Sequence, residues 1–178
     1  GNIQCKLKIT SNSTDYPYEI SEDISIRLSI DQYGFPITGF VAKSSPVVVD
    51  LDNDGQKEIY FGTEEGKLQG YHFSGELVNG FPFGTDDNVR SSPAISDLDN
   101  DGIDEIIFGS FDGKIYVLDS QGNLKLSYTQ SGYIVGSVAI ADLDQNGDKE
   151  IIFTTQDGNS GKLYAIHNDG NNVEGFPV

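Results

Sequence analysis

Three copies of one acidic segment constrain this chain more than any other feature, because internal repetition decides the architecture before residue-level detail does. The first copy is Asp50-Leu51-Asp52-Asn53-Asp54-Gly55-Gln56-Lys57-Glu58, and the second is Asp97-Leu98-Asp99-Asn100-Asp101-Gly102-Ile103-Asp104-Glu105. The third is Asp142-Leu143-Asp144-Gln145-Asn146-Gly147-Asp148-Lys149-Glu150. Ser44-Ser45-Pro46, Ser91-Ser92-Pro93 and Gly136-Ser137 lead into them through short apolar runs. An apolar strand follows each copy (Ile59-Tyr60-Phe61, Ile106-Ile107-Phe108, Ile151-Ile152-Phe153), then a glycine turn and a second strand (Lys67–Phe73, Lys114–Asp119, Lys162–His167). The units close with Gly75…Gly80-Phe81, Gly122…Ser127-Tyr128 and Gly170…Gly175-Phe176.

Gly34…Gly39-Phe40 repeats that closing spacing and marks a degenerate copy at the N-terminus. Pro46 to Gly75 and Pro93 to Gly122 are both 29 residues, and the same step back from Gly34 reaches Cys5. Lys6–Thr10, Tyr18–Ser21 and Ile24–Ile30 then match the strands, while Ile9–Thr14 replaces the acidic loop without a carboxylate cluster. Four repeats result, at about 5–45, 46–92, 93–137 and 138–178. Period-2 alternation within short runs favours strands, and no stretch shows the 3.6-residue periodicity of a helical repeat. A period in the forties with about four short strands per unit predicts an all-β fold of β-propeller-type blades. Such a set of four closes alone, pairs with a second copy, or forms part of a larger ring.

The spacing inside the loops points to a metal. Oxygen-bearing side chains at positions 1, 3 and 5 of a tight turn aim at one centre. Glycine at position 6 allows the bend, position 7 has a free carbonyl, and glutamate stands at position 9. Hard oxygen ligands in this number favour Ca²⁺ over Mg²⁺, which keeps its water, and over metals that prefer nitrogen or sulfur. An EF-hand is excluded, because its bidentate glutamate at position 12 is replaced by Phe61, Phe108 and Phe153 inside apolar strands. A plain Asp-Asn-Asp-Gly turn would account for one loop but not for three with the same oxygen spacing.

The pattern Asp-x-Asp-x-Asp-Gly-x-x-Glu, followed by a strand and Phe61-Gly62 or Phe108-Gly109, resembles the FG-GAP/VCBS repeats of integrin-α-type β-propellers. Gly113–Asp119 is also similar to quinoprotein-like propeller repeats. The FG-GAP resemblance implies about three Ca²⁺ ions. Their ligands would be Asp50, Asp52, Asp54, the Gln56 carbonyl and Glu58, then Asp97, Asp99, Asp101, the Ile103 carbonyl and Glu105. The third set would be Asp142, Asp144, Asn146, the Asp148 carbonyl and Glu150. No metal is expected in the first repeat. Loops one and two present four carboxylates each at ligand positions and loop three presents three, which predicts the third site to be the weakest.

Charge and composition narrow the partners. A formal charge of -17 with only 11 Lys and Arg disfavours nucleic acid and anionic lipid. No apolar run approaches the roughly 18 residues of a membrane-spanning helix. The lone Cys5 excludes an internal disulfide framework and reads as a small core residue. Asn12-Ser13-Thr14 is a weak glycosylation triplet. The chain lacks a Gly-x-Ser-x-Gly elbow, a His-Glu-x-x-His pair and a Walker loop. His72 and His167 fall at equivalent positions, with Asp31 and Asp119 in the other repeats, and read as a solvated face. Asp15, Glu64, Glu65, Asp86 and Asp87 contain no marked acid pair. The expectation is a non-catalytic extracellular module for adhesion, with a protein or glycan ligand and with self-association available to complete a ring. The alternative is the propeller portion of a secreted polysaccharide-active or quinone-dependent enzyme, which the absence of Trp disfavours.

Overall fold

A computed structural model describes residues 2–10, 19–27 and 32–178, the first two segments as backbone only. The chain divides into two compact units, Gly1–Pro36 and Ile37–Val178. In the first, β1 (Asn2–Thr10) and β2 (Glu19–Arg27) form an antiparallel pair running from Asn2↔Arg27 to Thr10↔Glu19. The spacing of the other repeats predicts two strands across this stretch. Glu19–Arg27 is instead one continuous strand, because β1 offers it an unbroken partner along its whole length. Tyr18, Ile30 and the glycosylation triplet lie outside the described residues.

The second unit is built from three successive antiparallel sheets. β3 (Val47–Val49), β4 (Glu58–Gly62), β5 (Lys67–His72) and β6 (Phe83–Gly84) follow one another in the first sheet. The second repeats that order with β7 (Ala94–Ser96), β8 (Glu105–Gly109), β9 (Lys114–Leu118) and β10 (Leu124–Thr129). The third contains β11 (Ala139–Ala141), β12 (Glu150–Asp157) and β13 (Ser160–Ile166). At its outer edge Leu163 and Val178 exchange backbone hydrogen bonds of 2.8 and 3.0 Å, in the register where Leu68 faces Phe83 in the first sheet. The described residues are all-β, and the consecutive meanders are propeller-type repeats.

Burial explains why each strand alternates as it does. The middle sheet is covered on both faces, so β8 is buried along its whole length, whereas β4 alternates. Ile106, Phe108, Tyr116 and Leu118 face the first sheet and join Leu51, Tyr60, Leu68 and Phe81 in one cluster. Ile107, Ile115 and Val117 point the other way and join Ile151, Phe153, Tyr164 and Ile166 in a second. A single sheet exposes one apolar face and must borrow its cover from a neighbour, which is why the repeats fold as an array. Tyr60, Tyr116 and Tyr164 all lie in these clusters, and Phe153 stacks on Tyr164 with centroids 5.1 Å apart.

Candidate metal centre

Each acidic segment connects the first and second strands of its sheet, and all three loops adopt the same conformation. Position 4 is left-handed in each, with φ of 58° at Asn53, 58° at Asn100 and 60° at Gln145. Asn tolerates this region through its short polar side chain, and the glycine at position 6 supplies the second positive φ, 89°, 87° and 97° at Gly55, Gly102 and Gly147. The bends turn the glycine N–H onto Oδ2 of the first aspartate, at 2.9 Å for Asp50, 2.9 Å for Asp97 and 3.0 Å for Asp142. Oδ1 of position 5 accepts the N–H of position 7 at 2.7 Å (Asp54), 2.8 Å (Asp101) and 2.7 Å (Asn146).

The position-9 glutamate opens the following strand and is buried in every copy. Its Oε2 accepts the N–H of the loop leucine, at 3.2 Å from Leu51, 2.9 Å from Leu98 and 2.7 Å from Leu143. The leucine thus serves twice in the first two loops, where its side chain also plugs the seam to the next sheet. One carboxylate oxygen of each glutamate is held by the backbone, and in the first loop the other, Glu58 Oε1, has no hydrogen-bond partner.

In loop one Glu58 Oε1 and Asp50 Oδ1 are buried without a hydrogen-bond partner. Burial pushes the Glu58 carboxyl above its ordinary range, with Asp52 and Asp54 adding to the rise against the opposing pull of the Leu51 N–H and His72. Tyr60 is pushed up as well, by burial first and then by the charges of Glu58 and Asp52. A buried carboxylate left unpaired in a negative field is costly, and a cation among these oxygens removes the cost. Carboxylate oxygens of Asp50, Asp52 and Glu58 lie within 4.8 Å of one another, as do those of Asp97, Asp99 and Asp101, and those of Asp142, Asp144 and Glu150. This donor set, all hard oxygen, fits a calcium-type cation.

Side-chain nitrogens reach the glutamates differently in the three sheets. His72 stands directly across from Glu58 with Nδ1 3.6 Å from Oε1, and His167 stands across from Glu150 with Nδ1 at 3.1 Å. The histidines are therefore only partly solvated, contrary to the open surface their alternation with aspartate suggests: strand register turns them toward a buried carboxylate. Asp119 occupies the same position in the second sheet, and there the glutamate's partner is Lys125. Its Nζ lies 2.6 Å from Glu105 Oε1 and 2.7 Å from Asp99 Oδ2. The hydrogen bond from Lys125 holds the Asp99 carboxyl below the usual range. Lys125 aligns with Val78 and Val173 of the sister repeats, so a charged residue at an apolar position was the available signal for it.

The remaining acids are engaged elsewhere. Glu64 is clamped by Arg90 through both oxygens, and Glu65 accepts the Val41 N–H at 3.0 Å. Asp86 Oδ2 meets Lys114 Nζ at 2.6 Å, and Asp87 Oδ1 accepts the Asn88 N–H at 2.7 Å. Asp15 lies outside the described residues.

A family model for an FG-GAP-like repeat matches residues 50–108 and 97–153, together more than half of the chain. Among solved structures, the V. cholerae biofilm matrix protein Bap1 is similar, with a TM-score of 0.53 and 23% identity over 78% of this chain and 31% of its own. BBS1N, crystallised in complex with ARL6DN and soaked with mercury, aligns with a TM-score of 0.53 and 16% identity over 96% of this chain and 48% of its own. At such identities the likeness concerns the fold, and the chain spans about a third and about half of these two proteins. No curated protein matches the sequence.

Proposed function

The chain belongs to the FG-GAP-like repeat family, and from that premise we propose that it is a calcium-stabilised, non-catalytic β-propeller module that binds a protein or glycan outside the cell. The observation that carries the calcium part is loop one, where two buried carboxylate oxygens lack a hydrogen-bond partner inside a cluster of three acids. Asp50, Asp52, Asp54 and Glu58 would hold the ion there with the Gln56 carbonyl. Asp97, Asp99, Asp101, Glu105 and the Ile103 carbonyl would do so in loop two. In loop three the set is Asp142, Asp144, Asn146, Glu150 and the Asp148 carbonyl. Three divalent ions add six charges and bring the formal -17 to -11, relieving repulsion across the unit. Each ion spans the junction of two strands, so the metal's role is to hold the blade.

The adhesion part rests on the family and on the biofilm matrix setting of the similar Bap1 protein. Repeats of this kind, when incomplete as a ring, favour self-association through the open face of a terminal sheet. Thermal unfolding with calcium, with magnesium and with chelator tests the metal. At free calcium about ten times the dissociation constant, each site adds roughly 1.4 kcal/mol of stability. A rise in Tm of several degrees with calcium alone is expected, reduced by both Asp52→Ala and Asp99→Ala. Equal curves in calcium and chelator would overturn the proposal.

A further inference from the structure

We propose that Lys125 is a tethered counter-cation of loop two, which holds that loop together without metal and must leave before calcium can enter. The inference rests on the calcium reading above. Its basis is a coordinated exchange within the repeats. Two sheets place a histidine opposite the ligand glutamate and a valine six residues later: His72 with Val78, and His167 with Val173. The middle sheet has Asp119 and Lys125 at these positions. Asp119 turns its carboxylate into its own hairpin, accepting the N–H groups of Gln121 at 2.9 Å and Asn123 at 2.8 Å. Lys125 instead reaches back from the edge of β10, where a bulge between Leu124 and Leu126 frees it from the ladder, and bridges Asp99 to Glu105.

The two carboxylates it bridges are positions 3 and 9 of the loop, both assigned to the ion. An ammonium and a calcium ion cannot share those oxygens: each needs the same lone pairs, and the two positive charges repel. Loop two has four carboxylates at ligand positions and Lys125 cancels one, leaving the formal charge of loop three, which has three. Beyond that equality, calcium in loop two must first displace an ammonium bound to two ligand carboxylates, whereas in loop three His167 touches Glu150 alone. If the Lys125-free state is populated at roughly a tenth, the apparent calcium affinity drops roughly tenfold. Loop two, not loop three, is then the last to fill, reversing the order that a count of carboxylates predicts.

Backbone amide NMR separates the loops, because Gly55, Gly102 and Gly147 each donate to the first aspartate of one loop. In a calcium titration of the whole chain the Gly102 resonance should reach its midpoint last. Lys125→Val imports the residue of the sister repeats and should move the Gly102 midpoint to calcium about tenfold lower, leaving Gly55 and Gly147 in place. Lys125→Gln, which keeps the stem, should do the same if the valine variant folds poorly. Without calcium both variants should have a lower Tm than the parent, since Glu105 Oε1 then loses its ammonium partner. A Gly102 midpoint that stays fixed or rises in both variants overturns the inference, even if Tm falls. Calcium shifts at Gly55 and Gly147 in that experiment would leave the calcium reading standing, whereas silence at all three glycines would overturn both.

Discussion

A Cβ placed on Gly62 would stand 2.3 Å from the carbonyl oxygen of Val89 and 2.4 Å from its Cγ1. The glycine of the Phe-Gly dipeptide is thus demanded by space. The segment after β6 crosses the end of β4 here, with the Val89 N–H donating to the Thr63 carbonyl at 2.9 Å. Gly109 meets the next segment in the same way, its added Cβ lying 2.3 Å from Ile134 Cγ2. Gly62→Ala is expected to cost about 1–3 kcal/mol by overpacking, and to resist rescue because backbone is in the way. Gly109→Ala clashes with a side chain, so it should be partly rescued by Ile134→Ala. Urea unfolding of the two single variants and the double variant would reveal this as a stability loss smaller than the sum.

Leu98 and Leu143 stand at the same loop position but at 3% and 45% exposure. Leu98 is roofed by the third sheet, whereas the equivalent face of that sheet has no cover among the described residues. Leu98→Ala should cost about 2–5 kcal/mol by leaving a cavity. Leu143→Ala should stay within about 0.5 kcal/mol. Both values come from chemical denaturation at fixed calcium. A large loss at Leu143 would show that something covers this face in solution.

Glu58→Gln should change sign with calcium. In chelator the carboxylate is buried, lacks a partner for Oε1 and faces Asp52 and Asp54, so a neutral amide should raise stability by about 1 kcal/mol. With calcium the same change removes a charged ligand, and Tm should fall below the parent's. Paired thermal scans in chelator and calcium check both halves. A loss of stability in both conditions would mean that Glu58 matters for the loop's fold alone.

The contrast between loops and their surroundings explains what was legible in the residues. Asp50, Asp52 and Glu58 converge because they are near in sequence, and the bends that bring them together are set by Asn53 and Gly55. Spacing alone therefore points to them. Lys125 reaches Glu105 from twenty residues away, through a register shift beside β9 that no local pattern announces. The solvated surface expected of His72 and His167 is met only in part, for a related cause. Whether a strand-edge histidine sees water depends on its cross-strand neighbour, here a buried glutamate. The Phe-Gly dipeptides were visible as a motif, yet the need for glycine appears only when Val89 and Ile134 are seen passing over them.

Arg90 fixes the segment between the first two sheets by a different chemistry, and pH tests it. Its guanidinium binds both oxygens of Glu64, with Nη2 to Oε2 at 2.8 Å, and lies 4.6 Å from the centre of the Phe111 ring. The ring is on the second sheet's turn, so one side chain ties β4's turn to that of β8. The hydrogen bond from Arg90 holds the Glu64 carboxyl below its ordinary value. A depressed carboxyl stabilises the fold above its unfolded pKa, and that stability fades as pH falls through the folded value. The parent and Arg90→Gln should therefore differ most in Tm near pH 7, and the gap should shrink once the pH falls below the ordinary carboxylate range and Glu64 takes up its proton. The cation–π contact does not titrate, so a small difference should persist in acid. A gap that stays constant from pH 7 into that acid range would assign the stabilisation to Phe111 and deny Glu64 its part.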